Sequence, residues 1–246
     1  MTVRCPLRSR RFCVKISEMP FPGGMPAGDG TEGSERMSRC FIFAAGTFYG
    51  LRERPAAGDL VIAADAGYET CRLAGVRPGV ILGDFDSMKA PETASEQIRL
   101  PVEKDDTDTM AAVRLGLERS CREFYIYGGT GGKRLDHTVA NFQTLLFARR
   151  HGARAFLYDD CFVWTVLEND DITVKKTVEW GLLSVFSMGG QAEGVTETGV
   201  QYPLEDAALS NGFPIGVSNH ILDDQARVSV RGGTLLVGWE LPPCRE

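Results

Sequence analysis

Five short runs between residues 40 and 158 are almost wholly apolar, and they constrain the fold more than any other feature. They read CFIFAA (40–45), LVIAA (60–64), VIL (80–82), FYIY (124–127) and AFLY (155–158). A half-buried strand alternates apolar and polar residues. Runs without alternation suit strands covered on both faces, as in a parallel sheet between helices. Helical patterns lie among these runs. Residues 68–74 stop at Gly75, a plausible C′ position. Residues 109–120 carry Met110, Val113 and Leu117 on one face, with Arg114 and Glu118 outward. Residues 135–151 place Leu135, Val139, Phe142 and Leu146 on one stripe and stop at Gly152. Strands alternating with helices imply a doubly wound sheet.

After Asp159 the pattern changes. Residues 162–167, 172–176, 182–188, 226–231 and 234–239 are short β-type runs separated by Gly and Asp/Asn turns, with no strong helical pattern among them. The expected fold is therefore α/β: a doubly wound, mostly parallel domain over 38–158, then an all-β sandwich domain over 159–242. Residues 1–36 hold Arg4, Arg8, Arg10 and Arg11, then a Pro/Gly-rich stretch, and no apolar h-region, so they do not read as a secretory signal. The segment up to residue 37 reads as an unstructured extension. Met37, just before the first strand, is a candidate biological start.

Charge and cysteine usage narrow the function. A net charge of −6 over 246 residues argues against a general nucleic-acid or membrane-surface role, either of which needs a basic face. It leaves room for a phosphate ligand bridged to carboxylates by a metal. The seven cysteines form no CxxC pair, so a disulfide framework or structural zinc is not expected and a cytoplasmic location is. No apolar run is long enough to span a bilayer.

The chemistry gathers at the ends of the apolar runs. The second run ends in Asp65-Ala66-Gly67 and the third in Gly83-Asp84-Phe85-Asp86-Ser87. A third acidic segment, Lys104-Asp105-Asp106-Thr107-Asp108, precedes a helix. Ligands of open parallel sheets sit at the carboxyl ends of the strands, so these aspartates are expected to meet at one edge. Crowded carboxylates repel unless a cation joins them, and magnesium suits oxygen ligands. A turn at Gly83 is expected, to make both Asp84 and Asp86 useful. Asp105, Asp106 or Thr107 can instead cap the helix, and for Asp106 capping is the preferred reading.

Between the fourth run and the last helix lies Gly128-Gly129-Thr130-Gly131-Gly132-Lys133-Arg134-Leu135-Asp136-His137. Strand-to-helix position and glycine content suit a phosphate-cradling loop. Arg134 stands where a Walker A loop has Ser or Thr and where GxGxxG has its last Gly, so neither motif is present. Lys133 and Arg134 add cationic donors for phosphate oxygens. Asp136 is a candidate cap. His137 reads either as a contact to nucleotide or partner subunit or as a structural histidine. Asn141 lies one turn beyond it on the same face.

Together, ADAG (64–67), GDFDS (83–87), DDTD (105–108), GGTGGKRLDH (128–137) and VSN (217–219) resemble thiamine pyrophosphokinase of the bacterial type, over residues 38 to about 240. The resemblance implies magnesium as cofactor, with ATP as co-substrate and thiamine as acceptor. It implies a homodimer with thiamine bound between subunits. It implies that Asp84, Asp86, Asp105 and Asp108 serve magnesium and the ATP phosphates, with Asp65 in the same pocket. Gly128, Gly129, Thr130, Lys133, Arg134, Asp136 and His137 match the nucleotide and dimer motif, and Ser218 and Asn219 the thiamine motif. Two positions depart from the family pattern: Ala66 replaces the middle Gly of DGG, and His220 stands where many members carry an acidic residue. Trp180 and Trp239 are candidates to stack on thiamine, with a sandwich-core role the preferred reading for each.

The expected reaction is attack of the thiamine hydroxyl on the β-phosphorus of ATP, releasing AMP. Asp108 or Asp86 is the candidate proton acceptor, in a catalytic set of Asp84, Asp86 and Asp108. Two rival readings are a pyrophosphokinase for another hydroxymethyl heterocycle, such as a pterin, and a non-catalytic thiamine or nucleotide sensor.

Overall fold

The computed structural model describes residues 38–83, 95–101 and 106–244. Residues 1–37 lie outside these, and so do Asp84, Asp86 and Asp105.

Five parallel strands coincide with the five apolar runs: β1 Arg39–Phe43, β2 Leu60–Ala64, β3 Val80–Gly83, β5 Glu123–Tyr127 and β6 Arg154–Tyr158. A sixth, β4 Glu96–Arg99, pairs with β3 at the edge of the sheet. Its sequence, EQIR, carries no apolar run because an edge strand need not be covered on both faces. Within each central strand the side chains divide between two cores. Cys40, Ile42, Ile62, Ala64, Leu82, Phe124 and Ile126 face α2 (Asp108–Glu118) and α3 (Leu135–Arg150). Phe41, Phe43, Val61, Ala63, Ile81, Tyr125 and Tyr127 face the other way, toward α1 (Gly67–Leu73). Aromatic rings stack across that second face, with Phe41 on Tyr125 and Tyr127 on Tyr158, both at 4.7 Å.

The sheet does not stop at β6. Strand β7 (Phe162–Glu168) turns back antiparallel to it, followed by β14 (Thr234–Glu240), β9 (Leu182–Ser187) and the two-residue β12 (Asn219–His220). The full order is β12-β9-β14-β7-β6-β5-β1-β2-β3-β4. A second, antiparallel sheet has the order β11-β10-β13-β8, from β8 Asp171–Lys175, β10 Gln191–Thr198, β11 Leu204–Ser210 and β13 Gln225–Ser229. It faces the antiparallel end of the long sheet across a core of Leu183, Val185, Val195, Val228, Leu235 and Val237. The opposite face of those long-sheet strands, through Val166 and Leu236, joins the core under α3. One sheet thus serves as the middle layer of the α/β half and as one wall of the sandwich.

Strands β10 and β11 escape the apolar-run criterion. β10 reads QAEGVTET and slips register twice against β11, between Ala192 and Val195 and again between Val195 and Glu197. Such irregularities break the period of two. Helix α3 also departs from its expected stripe. Its buried residues are Asn141, Thr144, Leu145 and Ala148, while Leu135 is 76% exposed and Val139 51%. The buried line follows the helix's contacts with β6 and β7, not its greasiest residues. No helix among the described residues is long and apolar enough to cross a membrane.

Candidate active site

The chain runs β1 to β2 on one side of β1, and later returns through α2 to place β5 on its other side. The carboxyl ends of β1 and β5 therefore diverge, the crevice in which open sheets bind ligands. A cleft of about 230 Å³ opens there. Its floor is Ala44, Ala45 and Gly46 beyond β1 and Gly128 to Gly132 beyond β5. Asp65, Asp108, Lys133, Arg134, His137 and Asn141 also reach it.

The two loop ends fit only because they lack side chains. Gly128 has φ +66°, and a Cβ there would lie 2.4 Å from the Ala44 carbonyl oxygen. Three bonds lock the loops together: Gly46 N donates to Gly128 O (2.7 Å), Thr47 N to Thr130 O (3.0 Å) and Gly132 N to Thr47 Oγ1 (3.1 Å). From α3, buried Asn141 donates its amide to Gly129 O at 2.6 Å. Thr130 is buried and gives its hydroxyl to Asp159 at 2.9 Å, so what it offers the cleft is backbone. Loop 44–47 and Thr138 are site elements that sequence reasoning passed over. The small-residue run Ala44-Ala45-Gly46, set opposite a glycine loop, is the signal that marks them.

Lys133, Arg134 and His137 are all exposed at the start of α3, where the helix end favours anions. Asp136 does not cap the helix. The N-cap residue is Arg134, without a side-chain cap, and Asp136 in the first turn accepts from its guanidinium at 2.5 and 3.2 Å. That bond holds the Asp136 carboxyl below its ordinary range and raises Arg134 further.

The acidic side is partly described. Asp65 stands just past β2 in the left-handed region (φ +51°), which Asp tolerates better than most residues, and its N–H donates to Leu82 O at 2.7 Å. Asp108 is the first residue of α2. The cap of that helix is Thr107, whose hydroxyl accepts from Met110 N. Asp106 pairs instead with Arg114 at 2.6 Å, so the preferred capping reading for it does not hold. Gly83 is the last residue of β3, and the turn expected to follow it lies outside the described residues; a Cβ at Gly83 would come within 3.2 Å of Asp65 Cα, so its bareness lets the strand end lie against Asp65. Asp84, Asp86 and Asp105 lie outside the described residues. Among the described ones no cluster of three metal-ligating side chains occurs. Asp65 and Asp108, both on the cleft, supply the hard oxygen donors that magnesium favours, so the residues present fit the ion.

Ala66, where the resembling family has Gly, has an ordinary helical φ of −63°. The sterically required glycine is Gly67, where a Cβ would sit 1.8 Å from Phe43 O. Ser218 and Asn219 do not line the cleft, whose walls among the described residues come from 44–141. They sit at the edge of the sandwich. Ser218 is exposed with φ +59°, and Asn219 is buried. Beside them His220 Nδ1 lies 2.8 Å from Trp180 O, with the two rings edge to face at 5.8 Å. Trp180 is 62% exposed, which removes it from the sandwich core, whereas Trp239 packs there against Phe156.

Comparison with known proteins is consistent along the chain. The family model for the thiamin pyrophosphokinase catalytic domain matches residues 54–157, and that for the vitamin B1 binding domain matches 170–235. Thiamine pyrophosphokinase of Bacillus subtilis is 27% identical over 184 residues, covering 72% of this chain and 86% of that protein. The crystal structure of thiamin pyrophosphokinase from Geobacillus thermodenitrificans aligns with a TM-score of 0.72 at 26% identity, over 83% of this chain and 98% of that one. A thiamin pyrophosphokinase family protein from Enterococcus faecalis gives the same TM-score and identity, over 83% and 100%. With both models matched in order over well over half its length, the chain belongs to the thiamin pyrophosphokinase family.

Proposed function

We infer that this chain transfers pyrophosphate from ATP to the hydroxyl of thiamine, giving thiamine diphosphate and AMP. The observation that carries the reading is the cleft at the switch between β1 and β5, whose lining brings together a bare glycine loop, Lys133, Arg134 and His137, and the carboxylates of Asp65 and Asp108. Phosphoryl-type transfer needs positioning and charge neutralisation more than covalent chemistry from the protein. The backbone of Gly128, Gly129 and Thr130 holds phosphate oxygens. Lys133, Arg134 and His137 draw the triphosphate to the start of α3. To do so, Arg134 shares its guanidinium between Asp136 and phosphate. Asp65, Asp84, Asp86, Asp105 and Asp108 form the acidic side, and Asp84, Asp86, Asp105 and Asp108 hold magnesium. When bound, the ion neutralises charge on the phosphate oxygens. Asp108 or Asp86 takes the proton from the thiamine hydroxyl.

The thiamine end of the reaction belongs to the Ser218–His220 rim, with exposed Trp180 as the aromatic that stacks on the heterocycle. That rim contributes nothing to the cleft within one chain. A homodimer that brings one protomer's rim to its partner's cleft resolves the separation. The exposed Leu135 and Val139, on the helix that carries Arg134 and His137, give such a dimer an apolar face to cover. The five described cysteines are free thiols, in keeping with a cytoplasmic enzyme.

The test is an assay with ATP, thiamine and magnesium, run beside a metal-free control and a pterin acceptor. Thiamine-dependent release of AMP and thiamine diphosphate, abolished without metal, is expected. Thiamine binding without AMP release would establish a sensor instead, and turnover only with the pterin would reassign the acceptor.

A further inference from the structure

Strand β10 carries a carboxyl where the sandwich calls for an apolar residue. Glu197 is 2% exposed and follows Val195 on the inward face, opposite Leu204 on β11 and Val228 on β13. Its Oε1 is the one buried side-chain polar atom among the described residues that lacks a hydrogen-bond partner. Native cores seldom keep such an atom without a use for it. Its Oε2 accepts from Asn219 Nδ2 at 3.3 Å. Glu197 belongs to the four-stranded sheet and Asn219 to the long one, so this bond crosses the sandwich.

Asn219 spends its whole amide on the protein. Nδ2 also donates to Tyr202 O (2.9 Å), and Oδ1 accepts from Tyr202 N (3.0 Å). Its side chain is a clamp that joins the loop after β10 to β12. The pairing of β12 with β9 spans only two residues, and Gln201 N donates to His220 O (2.9 Å) beside the clamp. On either side of the clamp stand the groups that face outward. Ser218 is held in the left-handed region with its N–H on Ser184 Oγ (3.1 Å), and His220 grips the Trp180 carbonyl.

We propose that Glu197 is a positioning residue: through Asn219 it fixes Ser218, His220 and Trp180 at the sandwich rim and so sets the affinity for the heterocyclic acceptor. Burial raises the carboxyl above its ordinary range, in keeping with a group placed for its hydrogen bond and not for its charge. The inference rests on assigning that rim to thiamine.

The experiment compares Glu197→Leu, which fills the space without polarity, with Glu197→Gln, which keeps an acceptor for Asn219. The leucine variant is expected to raise the thiamine KM roughly ten-fold, the worth of one buried hydrogen bond. Its kcat and its ATP KM stay within about two-fold of wild type. The glutamine variant restores the thiamine KM, and the leucine variant melts no lower than wild type. Amide hydrogen exchange is read at Tyr202 and Ser218 in the same proteins and should quicken only in E197L. An unchanged thiamine KM with unchanged exchange in E197L, or a glutamine variant as impaired as leucine, overturns the proposal. If leucine does not pack, Glu197→Val makes the same comparison. Wild-type protein that releases no AMP with thiamine overturns the rim's assignment instead, and the exchange arm still judges the clamp.

Discussion

The two ends of the long sheet build their sites by different means. At the parallel end the cleft is a consequence of topology. Two strand ends part at the switch point, and what lines the gap is backbone made accessible by glycine, with charged side chains on helix starts. At the antiparallel end the rim at Ser218 is held by a relay of side chains, Glu197 to Asn219 to the Tyr202 backbone, across two sheets. The first kind of site depends on its bare positions and on the charges set around them. The second depends on side chains that reach from one sheet to the other. The contrast makes predictions that can be ranked by size.

The sharpest break is expected at the parallel end. Asp108→Asn keeps the helix start and the volume of the side chain but removes a charge from the cleft. On the proposed reading of Asp108 as a magnesium ligand, the variant weakens an ion that supplies several kcal/mol of charge stabilisation in transfer, so kcat should fall by about 100-fold or more. Steady-state kinetics with an unchanged melting temperature would place the loss in chemistry. An activity near that of wild type would remove Asp108 from the acidic set.

Next comes a pair of neighbouring substitutions that separates bare positions from tolerant ones. Gly67→Ala drives a methyl to 1.8 Å from Phe43 O, a contact the backbone must move to relieve. A loss of about 2–4 kcal/mol is expected, as for severe overpacking of a core. Ala66→Gly should change stability by less than about 0.5 kcal/mol, because Ala66 is the N-cap of α1, where glycine caps better than alanine and so offsets its larger loss of backbone freedom. Chemical denaturation of both variants tests the order. If Ala66→Gly proves the more damaging, the assignment of Gly67 as the bare position and Ala66 as the tolerant one is reversed.

Asn141→Ala probes the fastener under the glycine loop. It leaves the Gly129 carbonyl buried without its 2.6 Å donor, at a cost of about 1–3 kcal/mol. The ATP KM should rise while the thiamine KM holds, because the loop faces only the phosphate end. A matched rise in both would mean that the two ends of the sheet are more tightly coupled than the separate linings suggest.

The same contrast explains what could be read from the sequence. The five apolar runs located five of the six parallel strands, because burial on both faces leaves no room for polar residues. The acidic and glycine segments fell at strand ends, so topology brought Asp65, Asp108 and residues 128–134 to one cleft. Loop 44–47 escaped notice because its contribution is the absence of side chains. At the antiparallel end the irregular β10 and β11 went unread, since a bulged strand has no steady period. Nothing in VTET marks Glu197 as a core residue, because its partner lies on another sheet 22 positions away. Helix α3 misled in the opposite sense. Leu135 and Val139 look like core and are exposed, while Asn141 and Thr144 look like surface and are buried.

The smallest effect concerns pH, and it isolates the clamp. Burial raises the Glu197 carboxyl in the folded protein above its value in the unfolded chain. Below the unfolded value both states carry the proton and the group makes stability independent of pH. Between the two values only the folded state holds it, so stability falls as pH rises, by at most about 1.4 kcal/mol per pH unit. Above the folded value both states have released it and the slope vanishes. Glu197→Gln cannot titrate, so its stability relative to wild type should grow with pH across that window and then level off. Urea unfolding of the two proteins from pH 4 to 8 measures the difference directly. A difference that shrinks with rising pH would mean that the carboxylate is favoured by its surroundings, and the parallel end would then hold no monopoly on charge as a means of building a site.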